Sequence, residues 1–244
     1  MILQGKIALV TGGAVRVGRS ISKSLSTAGA TLFIHFHKSK KAAESLKREI
    51  EDKGRSIYLI QGDLTQMESV HTLIDQVISK GGGIHILINN AALFYKTPLG
   101  QVSEEEWDRL FTLNLKTAFF CAQYAGVHMK EHGGGKIINI GDPSGERPWS
   151  SYIPYGITKA GIISMTKGLA RALAPDVQVN CINPGPVMLP EYYTEEERDR
   201  AIRRTLLKRE GTAEDIASAV RFLLEGSDYI TGSIINVDGG RSIV

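Results

Sequence analysis

Three residues in the stretch INIGDPSGERPWSSYIPYGITKAG carry the first suggestion of chemistry: Asp142, Tyr155 and Lys159. Tyr155 and Lys159 are i, i+4 neighbours, so a helix puts them on one face and lets them act as a unit. An ammonium beside a phenol favours the phenolate and turns a weak acid into a usable proton donor near neutral pH. Asp142 stands thirteen residues upstream of the tyrosine. A hydroxyl is the ordinary partner for such a phenol, and a carboxylate in its stead points to a substrate other than an ordinary ketone. Aspartate before Pro143 at a strand end is also a common turn residue, so a purely local role stands beside the chemical one.

The elements that must position these residues are legible as alternating patterns. Apolar β-type runs read KIALVTG, ATLFIHF, SIYLIQGD, IHILINNA, GKIINIGD, VQVNCINPG and GSIINVDGG, with helical periodicity in segments such as SISKSLSTAGA, SKKAAESLKREIEDKG and VHTLIDQVISKGG. Near-continuous Val/Ile/Leu strands separated by helices predict a parallel sheet covered on both faces. Right-handed crossovers make it a doubly wound α/β sheet, a single Rossmann domain over residues 1–244. Residues 103–132 read as one long helix, with Ser103 as N-cap and Glu106 completing a capping box. The stretch PGPVMLPEYYTEEERDRAIRRTLLKREGT is an insertion before the last helix and strand, and its 186–210 portion is the expected substrate lid.

Bulk composition narrows the class. With 244 residues, 42% apolar and 23% charged, the chain builds a full core without disulfides. Cys121 and Cys181 lie far apart in apolar stretches and read as reduced core thiols. A net charge of +3 does not imply nucleic acid. The lysines of HKSKKAAESLKRE read as a solvated helix face. No signal-like segment and no bilayer-length apolar run stand out. The expectation is a soluble cytoplasmic protein acting on a small molecule, with neither nucleic acid nor membrane as partner.

A cofactor site follows from the first two strands. Thr11-Gly12-Gly13-Ala14-Val15-Arg16-Val17-Gly18 joins a strand to a helix, where backbone N–H groups and the helix N-terminus meet a pyrophosphate. Arg16 and Arg19 fall in the first helical turn. Each cation there costs about 0.3–1 kcal/mol against the dipole unless an anion lies nearby. An Asp or Glu ending the second strand would hold the ribose hydroxyls of NAD and repel a 2′-phosphate. This chain has none, and instead presents His37, Lys38 and Ser39, which favours NADP(H). His35 and His37 are alternate strand positions with no third ligand, so no metal is expected. Asp63 and Leu64 are placed against the adenine, and Asn90 and Ala91 against the adenosine ribose.

These motifs, together with Asn114 and Asn183-Pro184-Gly185, resemble the short-chain dehydrogenase/reductase family along essentially the whole chain. The resemblance implies Asn114, Tyr155 and Lys159 as catalytic residues, with Asp142 in the slot of the family's serine. It adds Pro184, Gly185 and Val187 to the cofactor site, gives Lys159 the nicotinamide ribose, and gives Asn114 a water on the proton path. Arg16 in the glycine turn, Asp142 before the tyrosine and His-x-His-Lys-Ser after the second strand are similar to the pteridine reductases within that family. Bacterial dihydromonapterin reductases share the aspartate. By that likeness Phe94 stacks on a pterin, Tyr152 also matches, and Arg16, Phe94, Asp142 and Tyr155 touch the substrate. The implied activity is NADPH-dependent reduction of a pteridine C=N bond by a homotetramer assembled through the 103–132 and 152–173 helices. Simple loop packing is the plain counterpart for Phe94, and Trp149 is either a wall of the site or a loop anchor. Two other functions remain open: a ketoreductase acting on a 3-oxoacyl thioester, and a non-catalytic NADP(H)-binding sensor or scaffold.

Overall fold

The computed structural model describes residues 1–244. All seven expected strands are present: β1 (Ile7–Val10), β2 (Thr31–Phe36), β3 (Ile57–Gln61), β4 (Ile86–Asn89), β5 (Gly135–Ile140), β6 (Val177–Pro184) and β7 (Ile234–Val237). They form one sheet in the order β3-β2-β1-β4-β5-β6-β7, with every neighbouring pair parallel. Eight α-helices accompany it: α1 (Arg16–Thr27), α2 (Lys40–Glu51), α3 (Met67–Gly81), α4 (Glu104–Phe111), α5 (Thr117–Glu131), α6 (Ile153–Leu173), α7 (Glu195–Arg203) and α8 (Ala213–Glu225).

Period-two alternation along the strands divides the core. Ala8, Val10, Leu32 and Ile34 pack on one face against Ile21 and Leu25 of α1, Leu46 of α2 and Val220 of α8. Leu9, Phe33 and Leu87 point to the other face, against Leu73 and Val77 of α3 and Ala122 and Met129 of α5. Each fully buried Leu, Ile or Val contributes about 1.5–3 kcal/mol, so both helical layers are held chiefly by burial. Strand order reverses between β1 and β4, and crevices outside the carboxyl ends of strands at such a switch point are where ligands bind in this architecture. None of the helices is long and apolar enough to cross a membrane.

Two segments differ from the sequence expectation. The 103–132 helix is interrupted: α4 and α5 are joined by a π-turn over Thr112–Lys116, in which the Thr117 N–H reaches back to the Thr112 carbonyl. The wider turn turns Asn114 into the interior, where it is buried. The Ser103–Glu106 capping box is present as expected. Within 186–210 the chain is not irregular throughout. Thr194 and Glu197 form a second capping box that starts α7, with Glu195, Glu196 and Glu197 in its first turn.

Candidate active site

Asp142 follows β5 in extended conformation (φ −170°) and caps a short 3₁₀ turn, Pro143–Gly145. One carboxylate oxygen, Oδ1, accepts the Ser144 N–H at 2.7 Å. The other, Oδ2, accepts the Tyr155 hydroxyl at 3.0 Å. The local and the chemical readings of Asp142 therefore hold together: the turn aims one oxygen inward and leaves the second for the phenol. Tyr155 and Lys159 lie one turn apart on α6, both buried. The Lys159 ammonium donates to the Ile140 carbonyl at 2.9 Å and sits 5.6 Å from the centre of the Tyr155 ring.

The electrostatics reverse one expectation. Burial, followed by the Asp142 carboxylate, pushes the Tyr155 phenol well above its ordinary range. Lys159 does not outweigh this: its ammonium donates to the Ile140 carbonyl, and burial lowers its own pKa. Burial likewise raises the Asp142 carboxyl above the usual range, against the opposing Ser144 N–H and Lys159 charge. Asp142 keeps some surface toward the cleft, yet loss of solvation remains the largest influence on its carboxyl. The arrangement is a neutral phenol bonded to a carboxyl that is easy to protonate, beside one cation.

Around this unit stands an aromatic group. Phe94 stacks on Tyr152 with centroids 4.7 Å apart and planes 6° from parallel. It meets Tyr155 edge-on at 4.8 Å and Trp149 edge-on at 6.4 Å. Phe94 is thus packed and also faces the cleft, and Trp149 forms part of the cleft wall. Asn114 holds this loop from behind. Its amide donates to the Leu93 carbonyl at 2.9 Å and accepts the Leu93 N–H at 2.7 Å. Its side chain thereby fixes the residue before Phe94.

The glycine turn is fastened from two sides. Gly12 adopts φ +62°, and its N–H donates to His35 Nδ1 at 3.2 Å. His35 Nε2 in turn pairs with the Gly62 carbonyl at 3.0 Å, so the ring bridges the turn to the chain beyond β3. Asn90 donates to the Thr11 and Gly12 carbonyls at 2.9 and 3.2 Å. The Thr11 hydroxyl accepts the N–H groups of Asn90 and Ala91, each at 3.0 Å. A Cβ on Gly18 would lie 2.4 Å from the Gly12 carbonyl, so this close approach requires glycine. Arg16 itself adopts φ +51°, the left-handed region in which a side chain is strained.

The start of α1 fits an anion. Val15 supplies no side-chain cap and the first turn has no acid. By contrast α4, α7 and α8 each begin with a capping box and acidic residues. N–H groups left without such partners are satisfied by a ligand or water, and the dipole favours a negative one. Arg16 donates to the Met188 carbonyl, so it spans from the turn to the 186–210 segment. Arg19 is a correction: it pairs with Glu49 at 2.9 Å and donates to the Ala42 carbonyl, committed to α2 rather than to a phosphate.

Comparison with known proteins places this geometry. The model of the enoyl-(acyl carrier protein) reductase family matches residues 13–242. A 3-oxoacyl-(acyl-carrier-protein) reductase of Staphylococcus aureus is 35% identical over 239 residues, 96% of this chain and 97% of that protein. Among solved structures, the FolM alternative dihydrofolate reductase 1 of Brucella canis, complexed with NADP, superposes with a TM-score of 0.93 at 31% identity. The match covers 100% of this chain and 96% of that one. A blue fluorescent protein from a metagenomic library, in complex with NADPH, gives a TM-score of 0.93 at 33% identity and 99% coverage of both chains. The chain belongs to the short-chain dehydrogenase/reductase family.

Its family motifs gather unequally. One cleft of about 770 Å³ is lined by Arg16, Val17, Asn90, Phe94, Asp142, Tyr155, Lys159, Pro184, Gly185 and Val187. Gly185 is needed at the end of β6, where a Cβ would lie 2.5 Å from the Asp238 Cα. Asn114 stands outside the lining, behind the Leu93 peptide. His37, Lys38 and Ser39 lie beyond β2, apart from the cleft. His37 is 3.8 Å from Asp63, and Lys38 is exposed without the partner that Lys40 finds in Glu44. Ser39 precedes α2 with no side-chain cap bond. Asp63 accepts the Thr65 N–H and hydroxyl, and buried Leu64 gives its carbonyl to Thr117. His35, which the sequence offers only as half of a metal pair, anchors the turn; no group of three potential ligands could hold a metal. Sequence reasoning also missed Met188, Tyr193, Arg204 and Arg241 on the far wall. Tyr193 meets Tyr152 hydroxyl to hydroxyl at 3.1 Å, and nothing in the spacing of either residue signals that contact.

Proposed function

We propose that this oxidoreductase is an NADPH-dependent pteridine reductase that reduces a C=N bond of a dihydropterin or folate-like ring. The observation that carries the reading is the 3.0 Å bond from the Tyr155 hydroxyl to Asp142, made beside the ring of Phe94. A carbonyl needs one proton donor, whereas a pterin presents several ring nitrogens and an amino group that a carboxyl can also bond. The NADP and NADPH complexes of the FolM and blue fluorescent proteins support the cofactor assignment. Gly12, Arg16, Val17 and Gly18 are assigned the pyrophosphate, with His37, Lys38 and Ser39 at the 2′-phosphate. Asp63 and Leu64 take the adenine, Asn90 and Ala91 its ribose, and Tyr155, Lys159, Pro184, Gly185 and Val187 the nicotinamide end.

NADPH bound there supplies a hydride to the ring carbon. The Tyr155 hydroxyl gives its proton to the adjacent nitrogen, and the phenolate left behind takes one from protonated Asp142. Asp142 is reprotonated from solvent along the cleft. Lys159 stabilises the transient phenolate, and Asn114 positions Phe94 by holding Leu93. The 186–210 segment acts as the lid, tied across the cleft by Arg16 to Met188, Tyr152 to Tyr193 and Lys96 to Glu197. Exposed Trp107, Phe119, Val127 and Ile157 on α4, α5 and α6 support the homotetramer.

The 35% identity to a 3-oxoacyl reductase favours a second reading, a thioester ketoreductase. NADPH oxidation against dihydrobiopterin, dihydrofolate, folate and an acetoacetyl thioester separates the two. The proposal expects turnover of a pterin and its loss in Asp142→Ser. Thioester turnover that survives Asp142→Ser, with every pterin untouched, overturns it.

A further inference from the structure

The cleft is charged beyond what its proposed chemistry uses. Six cationic side chains, Arg16, Lys96, Lys159, Arg200, Arg204 and Arg241, line it against two carboxylates, Asp142 and Glu197. Lys96 is satisfied by Glu197, and Arg200 by Glu196 at 2.7 Å. Lys159 and Arg16 belong to the nicotinamide and pyrophosphate ends. Arg204 and Arg241 are left, and neither makes an ion pair with any carboxylate of the chain.

The nearby acids are occupied elsewhere. Asp142 gives its oxygens to Ser144 and Tyr155. Asp238 accepts the N–H groups of Gly240 and Ser242 at 2.9 and 2.7 Å. Arg241 is held in place by the Ala201 carbonyl at 3.0 Å and by the face of Trp149 at 5.1 Å. Trp149 is also the ring that meets Phe94 edge-on, so Arg241 lies one aromatic ring farther out than the site of ring reduction. Arg204 follows α7 at the exposed mouth. Both guanidiniums line the one cleft; burial lowers the Arg241 pKa, with the Asp142 charge acting against this and the Arg204 charge adding to it.

Two unpaired guanidiniums facing one cleft repel each other unless an anion joins them, and planar forks suit carboxylate or phosphate. We propose that Arg204 and Arg241 form a subsite for an anionic tail on the substrate, a carboxylate or phosphate attached to the reducible ring. This rests on the pteridine reading and names its substrate class: a pterin with a charged side chain in preference to a neutral one.

The test compares steady-state NADPH oxidation with dihydrofolate, dihydroneopterin monophosphate and neutral dihydrobiopterin, using wild type, Arg204→Gln and Arg204→Lys. Arg204 is exposed, so its variants fold. The ratio of kcat/KM for a charged over the neutral pterin is expected to fall about tenfold in Arg204→Gln, through KM, and to recover partly in Arg204→Lys. Which charged pterin shows the drop identifies carboxylate or phosphate as the anion. In wild type, raising the salt concentration should raise KM for the charged substrate selectively. An unchanged ratio together with equal salt effects on charged and neutral pterins overturns the subsite. If no pterin reacts, the pteridine reading fails on its own. The subsite is then tested with acetoacetyl-coenzyme A against its neutral N-acetylcysteamine analogue. A selective loss for the coenzyme A ester upholds the subsite, and equal loss rejects it.

Discussion

Protonation of His35 should loosen the glycine turn, and the cost can be worked out from its surroundings. Its ring is 3% exposed and accepts the Gly12 N–H at Nδ1, which requires a lone pair there and leaves the proton on Nε2, facing the Gly62 carbonyl. Burial lowers its pKa from 6.5 to about 4, with the Gly62 carbonyl opposing and His37 and Asp63 contributing in opposite senses. A depressed folded pKa means that the unfolded chain binds the proton first. His35 therefore contributes stability above pH 6.5, and that contribution is lost as pH falls toward 4. The slope is about 1.4 kcal/mol per pH unit, or about 3 kcal/mol over the window. His35→Asn keeps an acceptor at the δ position and cannot titrate. Its fixed cost from the lost ring, about 1–3 kcal/mol, is independent of pH. Urea unfolding at intervals from pH 7 to 4 should show wild type converging on the variant as the medium becomes acid. Other carboxylates affect both chains alike and cancel in the difference. Parallel curves would refute the reasoning, because they would mean that His35 binds its proton equally in both states.

Lys38→Ala should weaken NADPH binding tenfold or more while NADH changes little, as read by titration calorimetry; equal losses would remove the 2′-phosphate from this corner. Asp142 has a raised folded pKa, so its stabilising contribution is present below the ordinary carboxylate pKa and is lost as pH rises through the raised value. Asp142→Asn should then melt higher at pH 8 than wild type, by about 2–4 °C for each kcal/mol relieved, with a smaller gain at pH 5. Pterin turnover in wild type should rise toward the acid side through the same group, and a flat profile would deny a protonated Asp142 any part in the reaction. Asn114→Ala strips both bonds from the Leu93 peptide, at about 2–4 kcal/mol. Hydrogen exchange at the Leu93 amide should accelerate, and retained protection there would show that another group holds the loop.

The sheet was legible because its signals are local. Uninterrupted Val and Ile runs cannot be satisfied on a half-solvated sheet, so their alternation with helices dictates a doubly wound order. The capping box at Ser103 was likewise written in adjacent residues, and the same signal at Thr194 announces α7 within the expected lid. The π-turn was not legible, since Thr112–Lys116 has ordinary helix-compatible residues and the wide turn answers to the Leu93 peptide that Asn114 must reach. His35 shows the same limit. An alternating His-x-His pattern says nothing about a glycine N–H contributed from another strand. Arg204 and Arg241 line one cleft only because α7 and the segment after β7 fold over it.

The lysine effect is the most instructive difference. Spacing alone gives Tyr155 and Lys159 one face of α6, and in water a neighbouring ammonium favours the phenolate. In the protein, Lys159 finds the Ile140 carbonyl, and the nearest charge to the phenol is the carboxylate of Asp142. Burial and a negative neighbour both favour the neutral hydroxyl, so the phenol keeps its proton. The same burial makes Asp142 ready to hold a second proton one hydrogen bond behind it. A serine in that slot could donate a hydrogen bond but has no carboxyl to take up a proton. In the proposed reaction the aspartate turns one tuned acid into a two-proton chain, at a turn that its other oxygen already fixes.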